Sequence, residues 1–302
     1  MTNYGGVRGA NEKTGKRFAV IGTPVGHSLS PAIHNIIYRE AGVDWSYEAI
    51  ECPTPQDALH QIDLVRLGHL DGINITMPYK QLAMEQADLV DVSAVAAGGA
   101  NVLVRRGRDL CAYNTDGLGA VDAIVRAGNL DATKIYACVC GTGPTSSAIA
   151  CALALKGARQ VTLFSRNLAK AQAAVEHMER CLPDACAGVL EPAIYDDAFR
   201  IVPGCNVFVD ATPVGMQPGD ESIVDTAFFH DGQVVMDVVY AHGLTKIVEG
   251  ARKRGAVAID GGEMLVGQAA LAIEIWQREL GYSFEIDRNS MRKPVQAQAN
   301  QA

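Results

Sequence analysis

The sequence is short of positive charge. It contains 26 Lys and Arg residues against 34 Asp and Glu residues, which gives a formal net charge of −8 at pH 7. A surface that binds nucleic acid or an anionic membrane needs the opposite balance, so we expect neither as a partner. The sequence also lacks an apolar run long enough to span a bilayer, and its polar beginning does not resemble a secretory signal. These absences predict a cytoplasmic protein.

The eight cysteines lack the spacing of a structural site. They are scattered through the predicted strands and helices, without the paired spacing that holds zinc and without the framework typical of a disulfide-rich secreted domain. We therefore expect reduced thiols and no metal site.

The sequence does contain enough apolar material for a large core. With 302 residues, of which 48% are hydrophobic and 20% charged, the chain suits two domains. The clearest local pattern lies in residues 134–166, which combine an apolar run, a glycine turn, a helix of small residues and a second apolar run. Short apolar runs bounded by glycine are typical of strands buried on both faces, so this stretch predicts a βαβ unit.

The glycine turn of this unit has the features of a dinucleotide site. Gly141 and Gly143 allow a tight turn where a pyrophosphate would rest on a helix N-terminus, although Ser146 occupies the third glycine position. The second strand ends at Arg166 and carries no acid. Because NAD sites usually have an acid here and a 2′-phosphate needs a cation, Arg166 favours NADP and leaves NAD as an alternative.

The first strand is predicted at residues 17–22, and the loop that follows it contains Ser28 and Ser30. Ser30 precedes Pro31, which predicts that Ser30 caps a helix over 32–41. Capping does not account for Ser28, which either belongs to the loop or binds a polar ligand.

A second polar group surrounds the end of a later strand. Asn74 and Thr76 lie on one face of it, and Lys80 follows at its carboxyl end, where ligands bind in open α/β sheets. Asp116 is either a helix N-cap or part of the same polar chemistry. Gln268, in an apolar helix, is either turned outward or bonded to a neighbour.

The order of the elements predicts the α/β fold class, with two α/β domains and a cleft between them. We expect a substrate-binding domain from residues 17–117 together with a returning C-terminal helix at 261–285. A Rossmann-like NADP-binding domain is predicted at 118–260. Residues 1–16 and 286–302 are predicted to be a disordered leader and tail.

Nine motifs resemble, in order, those of the shikimate/quinate dehydrogenase family across residues 18–282. They are GTPVGHSLSPAIHN (22–35), NITMPYK (74–80), GGANV (98–102), NTDG (114–117), GTGPTS (141–146), SRN (165–167), ATPVGM (211–216), DVVY (237–240) and GGEMLVGQA (261–269). Each motif alone is weak, but nine in the same order are specific. The resemblance implies reduction of 3-dehydroshikimate to shikimate by hydride transfer from NADPH.

The resemblance also implies residue roles. Lys80 and Asp116 would be the catalytic pair, in which the ammonium protonates the forming alcohol and the carboxylate orients the ammonium. The implied substrate-binding residues are Ser28, Ser30, Asn74, Thr76, Asn101, Tyr240 and Gln268. The implied cofactor contacts are Gly141, Thr142, Gly143, Pro144, Thr145, Ser165, Arg166, Asn167, Thr212, Val238, Gly261 and Met264.

The chain departs from the family pattern at several positions. Val102 replaces the usual threonine, Thr142 and Pro144 interrupt the glycine turn, and Glu263 adds a negative charge near the expected nicotinamide position. These changes keep open a quinate or aminoshikimate dehydrogenase of the same family that uses NAD or NADP. A non-catalytic module that binds NADP or another ligand is the alternative of a different class. Monomer and homodimer both fit, and we favour the homodimer.

Overall fold

The computed structural model describes residues 15–217, 219–240 and 244–299. Within these ranges the chain forms two sheets of six strands, the first from residues 16–113 and the second from residues 136–259. Helices pack on both sheets. The predicted α/β class with two α/β units is confirmed.

The first sheet is mixed. Its strands are β1 (Lys16–Gly22), β2 (Trp45–Glu51), β3 (Gly72–Ile75), β4 (Leu89–Val90), β5 (Val102–Arg106) and β6 (Asp109–Tyr113). They lie in the order β2-β1-β3-β5-β6-β4, with β5 antiparallel to both of its neighbours. β1 is buried on both faces, since Phe18 and Val20 enter one core cluster whereas Ala19, between them, enters another.

The second sheet is wholly parallel. Its strands are β7 (Tyr136–Cys140), β8 (Gln160–Ser165), β9 (Leu190–Ile194), β10 (Val207–Asp210), β11 (Val234–Asp237) and β12 (Val257–Ile259). Their order is β12-β11-β10-β7-β8-β9, so the chain moves outward from β7 in one direction and then in the other. The direction therefore reverses between β7 and β10, which is where parallel sheets of this kind bind ligands.

The helices connect and cover the strands. Those of the first half are α1 (Ser30–Glu40), α2 (Pro55–Arg66), α3 (Lys80–Glu85), α4 (Val92–Ala97) and α5 (Asp116–Gly128). Those of the second half are α6 (Pro144–Leu155), α7 (Leu168–Cys181), α8 (Pro183–Cys186), α9 (Ala198–Ile201), α10 (Lys246–Lys253), α11 (Gly261–Leu280) and α12 (Arg288–Ala299).

α5 and α11 join the two sheets by crossing closely. A side chain added at Gly267 would lie 2.8 Å from the main-chain oxygen of Gly119, so glycine on each helix permits the approach. α11 begins in the core of the second sheet with Met264 and ends against the first, where Trp276 stacks on Phe18 with ring centroids 4.4 Å apart. The helix therefore returns to the first sheet, while the predicted domain boundaries stay predictions.

The prediction of a disordered tail is wrong for residues 288–299, which form α12. Met291 is fully buried, and Val295 packs against the same core cluster one turn later. The Ser290 hydroxyl donates to Glu40 of α1 at 2.9 Å. The polar composition of the tail concealed this apolar stripe, which is enough to dock one face of a helix.

Two predictions near the start of the chain also need correction. β1 begins at Lys16, so the last residue of the predicted leader belongs to the sheet, and residues 1–14 lie outside the described residues. Ser30 does not cap α1. The capping position is Leu29, which makes no side-chain cap hydrogen bond, and Ser30 is the first helical residue.

In the parts of the chain that the structure describes, no helix has the length and apolar character needed to cross a bilayer. All eight cysteines are free thiols, and seven of them are buried.

Candidate active site

The predicted catalytic residues Lys80 and Asp116 meet where the two halves of the chain join. Lys80 begins α3, Asp116 begins α5, and Lys80 Nζ lies 2.5 Å from Asp116 Oδ2. Only 14% and 7% of their side-chain surfaces are exposed. A buried ion pair is tolerated when further hydrogen bonds satisfy both partners, and both have such bonds.

Asp116 is fixed by the residues around it. Asn101 Nδ2 donates to Asp116 Oδ1 at 2.8 Å, and the Asp116 main-chain N–H donates to Asn114 Oδ1 at 3.0 Å. The capping position of α5 is Thr115, so the alternative in which Asp116 serves as an N-cap is wrong. Its carboxylate instead accepts from Asn101 on one oxygen and from Lys80 on the other.

Tyr47, which the sequence analysis did not single out, connects the predicted substrate residues. Its hydroxyl donates to Asn74 Oδ1 at 2.8 Å, and Asn74 Nδ2 donates to the main-chain oxygen of Asn101 at 3.0 Å. Burial raises the pKa of Tyr47 well above its ordinary value, and a hydrogen bond with Ser30 opposes that shift. The ring stacks on His34 with centroids 4.0 Å apart. Only the alternation of β2 hinted at a residue facing inward here.

Each of the two serines lies near a tyrosine hydroxyl. Ser28 Oγ accepts a hydrogen bond from the Ser30 main-chain N–H at 3.2 Å. Burial raises the pKa of Tyr240, and a hydrogen bond with Ser28 opposes the shift. Tyr240 also lies close enough to Tyr47 to raise the pKa of that residue. The structure therefore brings the two serines and the two tyrosines into one cluster of hydroxyl groups.

Thr76 and Gln268 are less closely tied to the catalytic pair. Thr76 directly follows β3, and its main-chain N–H donates to the oxygen of Ile21 at 2.9 Å. Gln268 is buried, and its Nε2 donates to the main-chain oxygen of Leu265 at 3.0 Å. Of the two alternatives for Gln268, bonding to a neighbour is the one observed.

The predicted glycine turn follows β7, where the strand order reverses. Gly141 has a φ of +101°, which glycine adopts far more readily than other residues. Gly143 caps α6, and among the described residues beyond its chain neighbours no atom lies within 4 Å of the position that a side chain there would occupy. Pro144 is the first helical residue, where its missing N–H leaves no bond unmade. This open N-terminus fits a pyrophosphate.

The end of β8 carries the predicted 2′-phosphate site. Ser165 is the buried last residue of the strand, and Asn167 caps α7 by accepting from the Lys170 main-chain N–H at 3.3 Å. Arg166, between them, is exposed and forms no ion pair with any residue that the structure describes. An uncompensated guanidinium beside the glycine turn fits a phosphate group.

The remaining cofactor residues follow the neighbouring strands. Thr212 comes after β10 and Val238 comes directly after β11. A side chain added at Gly261 would lie 2.0 Å from the main-chain oxygen of Val238, so only glycine lets α11 begin this close to the strand. Met264 is buried in the first turn of α11. The residues at this edge therefore suit a dinucleotide that extends from β8 across β7 to β11.

Known proteins resemble this chain over most of its length. Residues 20–103 match the model of the shikimate dehydrogenase substrate binding domain. The NADP(+) shikimate dehydrogenase of Halothermothrix orenii is 33% identical over 260 residues, which cover 85% of this chain and 89% of the relative. The NADP(+) shikimate dehydrogenase of Nitrosopumilus maritimus is 32% identical over 282 residues, which cover 93% and 98%. This chain belongs to the shikimate/quinate dehydrogenase family.

Solved structures of the family agree with the fold. The Thermus thermophilus shikimate 5-dehydrogenase, in complex with NADP(H) and shikimate, aligns with a TM-score of 0.80 at 29% identity, covering 94% of this chain and 99% of that one. A shikimate dehydrogenase in complex with NADP+ aligns with a TM-score of 0.83 at 27% identity, covering 98% and 99%. The predicted family and the predicted enzyme class, an NADP-dependent oxidoreductase, are confirmed.

Two buried carboxylates that the sequence analysis missed end β10 and β11 in this family member. Asp210 Oδ1 accepts from the Thr212 main-chain N–H at 3.0 Å. Asp237 accepts from the Val239 main-chain N–H at 2.9 Å and from the Thr245 hydroxyl at 2.6 Å. Burial raises the pKa of Asp210 to about 7 and that of Asp237 to about 6. The two side chains thus fix the loops that carry the predicted cofactor contacts.

Replacing Asp210 with Asn should make stability less dependent on pH. Because the pKa rises from 3.8 unfolded to about 7 folded, the folded state holds a proton that the unfolded state releases. The contribution of Asp210 to the free energy of unfolding is therefore greatest below about pH 4, and it falls by roughly a few kcal/mol as the pH rises to 7. Asn keeps the oxygen that accepts from Thr212 and does not ionise. We expect the melting temperature of Asp210→Asn to exceed that of the native protein at pH 8, and this difference to shrink as the pH is lowered to 5.

The matched control is Asp91→Asn, which removes one carboxylate from an exposed helix cap. Any pH effect that this control shares with Asp210→Asn comes from net charge and not from burial. A melting temperature of Asp210→Asn that follows that of the native protein from pH 5 to pH 8 would refute the assignment.

The sequence suggested that Glu263 places a negative charge near the nicotinamide position, but its carboxylate is paired with arginine side chains. Its two carboxylate oxygens accept from Arg292 Nε of α12, each at 3.0 Å, and Arg126 lies 3.7 Å away. The sequence could not show this pairing, because α12 itself was predicted to be disordered. Val102, the other notable departure, is fully buried in β5 within the core beside α11.

Across the described ranges, no group of three His, Cys, Asp or Glu side chains is arranged to hold a metal ion.

Proposed function

We propose that this protein interconverts 3-dehydroshikimate and shikimate with NADP(H), using Lys80 and Asp116 to move the proton. The observation that carries the proposal is this buried pair, hydrogen-bonded to Asn101 and placed against the glycine turn. The names of relatives more than 30% identical, which are NADP(+) shikimate dehydrogenases, support it.

The side chains of the site supply the proton that the reaction needs. Bound NADPH supplies a hydride to the carbonyl carbon, and the oxygen that becomes an alkoxide must then be protonated. The Lys80 ammonium donates that proton, and in the oxidative direction the neutral amine accepts it. The Asp116 carboxylate holds the Lys80 side chain toward the substrate, while its hydrogen bond from Asn101 prevents the carboxylate from turning away.

The hydroxyl cluster suits a small polyol acid. Ser28, Ser30 and Tyr240 offer O–H groups that can donate to a carboxylate. Asn74 lies in β3 and Thr76 directly follows it, on the segment that leads to Lys80. We expect the two residues to lie near the ring hydroxyls of a substrate whose reacting carbon is at the ammonium. Such contacts fix which hydroxyl meets the nicotinamide, and accurate positioning of this kind accounts for much of an enzyme's rate.

Initial rates with shikimate, quinate and aminoshikimate, each with NADP and with NAD, test the proposal. We expect shikimate with NADP to give the highest kcat/KM. NAD stays an outcome of the test, because the Listeria monocytogenes shikimate 5-dehydrogenase, 25% identical, was solved with shikimate and NAD. Faster turnover of quinate or aminoshikimate would overturn the substrate assignment and leave the Lys80 chemistry intact.

A homodimer, a cytoplasmic location and the absence of a nucleic-acid partner remain our expectations. Sedimentation of the protein at micromolar concentration tests the first of them.

A further inference from the structure

Lys80 has a second hydrogen-bond partner that its catalytic role does not require. Its Nζ donates to Asp116 Oδ2 at 2.5 Å and also to Thr145 Oγ1 at 3.0 Å. Thr145 is the second residue of α6 and belongs to the glycine turn of the other half of the chain. One hydroxyl therefore connects the proposed cofactor turn to the proposed proton donor.

The two bonds fix the orientation of the ammonium. A lysine ammonium carries three N–H groups and rotates easily about its terminal bond. With Asp116 alone, two N–H groups would lack a partner and the Lys80 side chain could still pivot about its bond to Asp116. With Asp116 and Thr145 both bonded, the side chain is held at two points, and one N–H is left for a substrate oxygen. A donor held in one orientation loses less entropy when the substrate docks.

The approach of the turn to Lys80 depends on a glycine between them. A side chain added at Gly99 would lie 3.1 Å from Cβ of Lys80 and 3.1 Å from Cβ of Pro144. Contacts this short are tighter than ordinary packing, so the absence of a side chain at residue 99 lets the start of α6 reach α3. The Lys80 main-chain oxygen also accepts from the N–H of Ala100 at 2.8 Å, which holds the backbone there.

We propose that Thr145 is a positioning residue for Lys80: its hydroxyl, with Asp116, orients the ammonium so that the remaining N–H faces the substrate oxygen. This inference rests on the proposed function only for its effect on rate. The simpler interpretation is that Thr145 lines the cofactor turn and that its hydroxyl has no part in proton transfer.

Thr145→Val and Thr145→Ser separate the two interpretations. Valine keeps the shape and removes the hydroxyl, whereas serine keeps the hydroxyl. We expect Thr145→Val to lower kcat about tenfold, with the KM for NADP and for shikimate changed less than about twofold, and Thr145→Ser to restore most of kcat. A raised KM for NADP with unchanged kcat would overturn the proposal and leave Thr145 as a cofactor contact.

A labelling experiment tests the hydrogen bond between Lys80 and Thr145 without requiring the enzyme to turn over a substrate. The rate at which an N-hydroxysuccinimide ester of acetate modifies Lys80 is read by peptide mass spectrometry in the native protein and in both variants. We expect modification to be about threefold faster in Thr145→Val and unchanged in Thr145→Ser. Equal rates in Thr145→Val and the native protein overturn the inference. Native protein that turns over none of the substrates counts against the proposed function instead, and the labelling result still stands.

Discussion

Lys80→Met should lower turnover of shikimate by about a thousandfold while binding of NADP(H) survives. Methionine keeps the apolar stem of lysine but has no proton to give, and the alkoxide that hydride transfer forms would then have to take its proton from water. The Lys80 side chain is 14% exposed, and its ammonium is held between Asp116 and Thr145.

Lys134→Met provides the matched control. Its side chain is 78% exposed, and its ammonium lies 3.7 Å from Asp131 at the surface. Its loss should therefore leave both turnover and cofactor binding within about twofold, as for most surface substitutions. Binding is measured by fluorescence titration with NADP and turnover by absorbance of the reduced nicotinamide. If Lys80→Met loses cofactor binding together with activity, its role is structural. If it keeps more than a tenth of the native kcat, another group transfers the proton.

Gly117→Ala should destabilise the protein by about 3 kcal/mol. Gly117 lies in the first turn of α5, and an added Cβ would be 2.0 Å from the main-chain oxygen of Ala148 in α6 and 3.0 Å from Cβ of Ala152. A backbone oxygen cannot turn aside as a side chain can, so the helices must separate. Alanine inside an exposed helix normally stabilises relative to glycine by up to about 1 kcal/mol, so the expected change has the opposite sign.

The separation should also reach the active site, because Asp116 adjoins Gly117 and Thr145 lies one turn before Ala148. Gly204→Ala is the control. In the described part of the chain, apart from neighbouring residues, no atom lies within 4 Å of its added Cβ, and its φ is not positive, so we expect a change within about 0.5 kcal/mol. Denaturant midpoints of both variants give the comparison. A Gly117→Ala variant as stable as the native protein would mean that α5 and α6 do not pack this closely.

Local patterns predicted the nucleotide half of the fold well. The apolar runs around the glycine turn gave β7, α6 and β8 nearly to their bounds, because strands of a parallel sheet are buried on both faces and read as continuous apolar segments. α12 was not predicted because it is stabilised by packing against the rest of the chain. Met291 is buried where this helix meets α1 and α11. Propensity alone does not reveal such contacts.

The residues of the candidate site likewise fall into those that the sequence could predict and those that it could not. Lys80, Asp116 and Arg166 could be found because each stands at the end of a predicted strand or the start of a predicted helix. Tyr47 and Asp210 could not, since alternation places a residue on a face without saying what that face meets across the chain. Tyr47 donates to Asn74 of another strand, whereas Asp210 accepts from Thr212 only two residues later and has its pKa raised by burial, which depends on the packing of the whole sheet.

Mixing the purified protein with shikimate and NADP+ and following absorbance at the reduced nicotinamide band tests the central claim most directly. The proposed chemistry predicts a steady rise in absorbance that depends on both compounds and that Lys80→Met abolishes. A protein that binds NADP+ but gives no rise with shikimate, quinate or aminoshikimate would contradict the claim and would be a ligand-binding module built on a dehydrogenase fold.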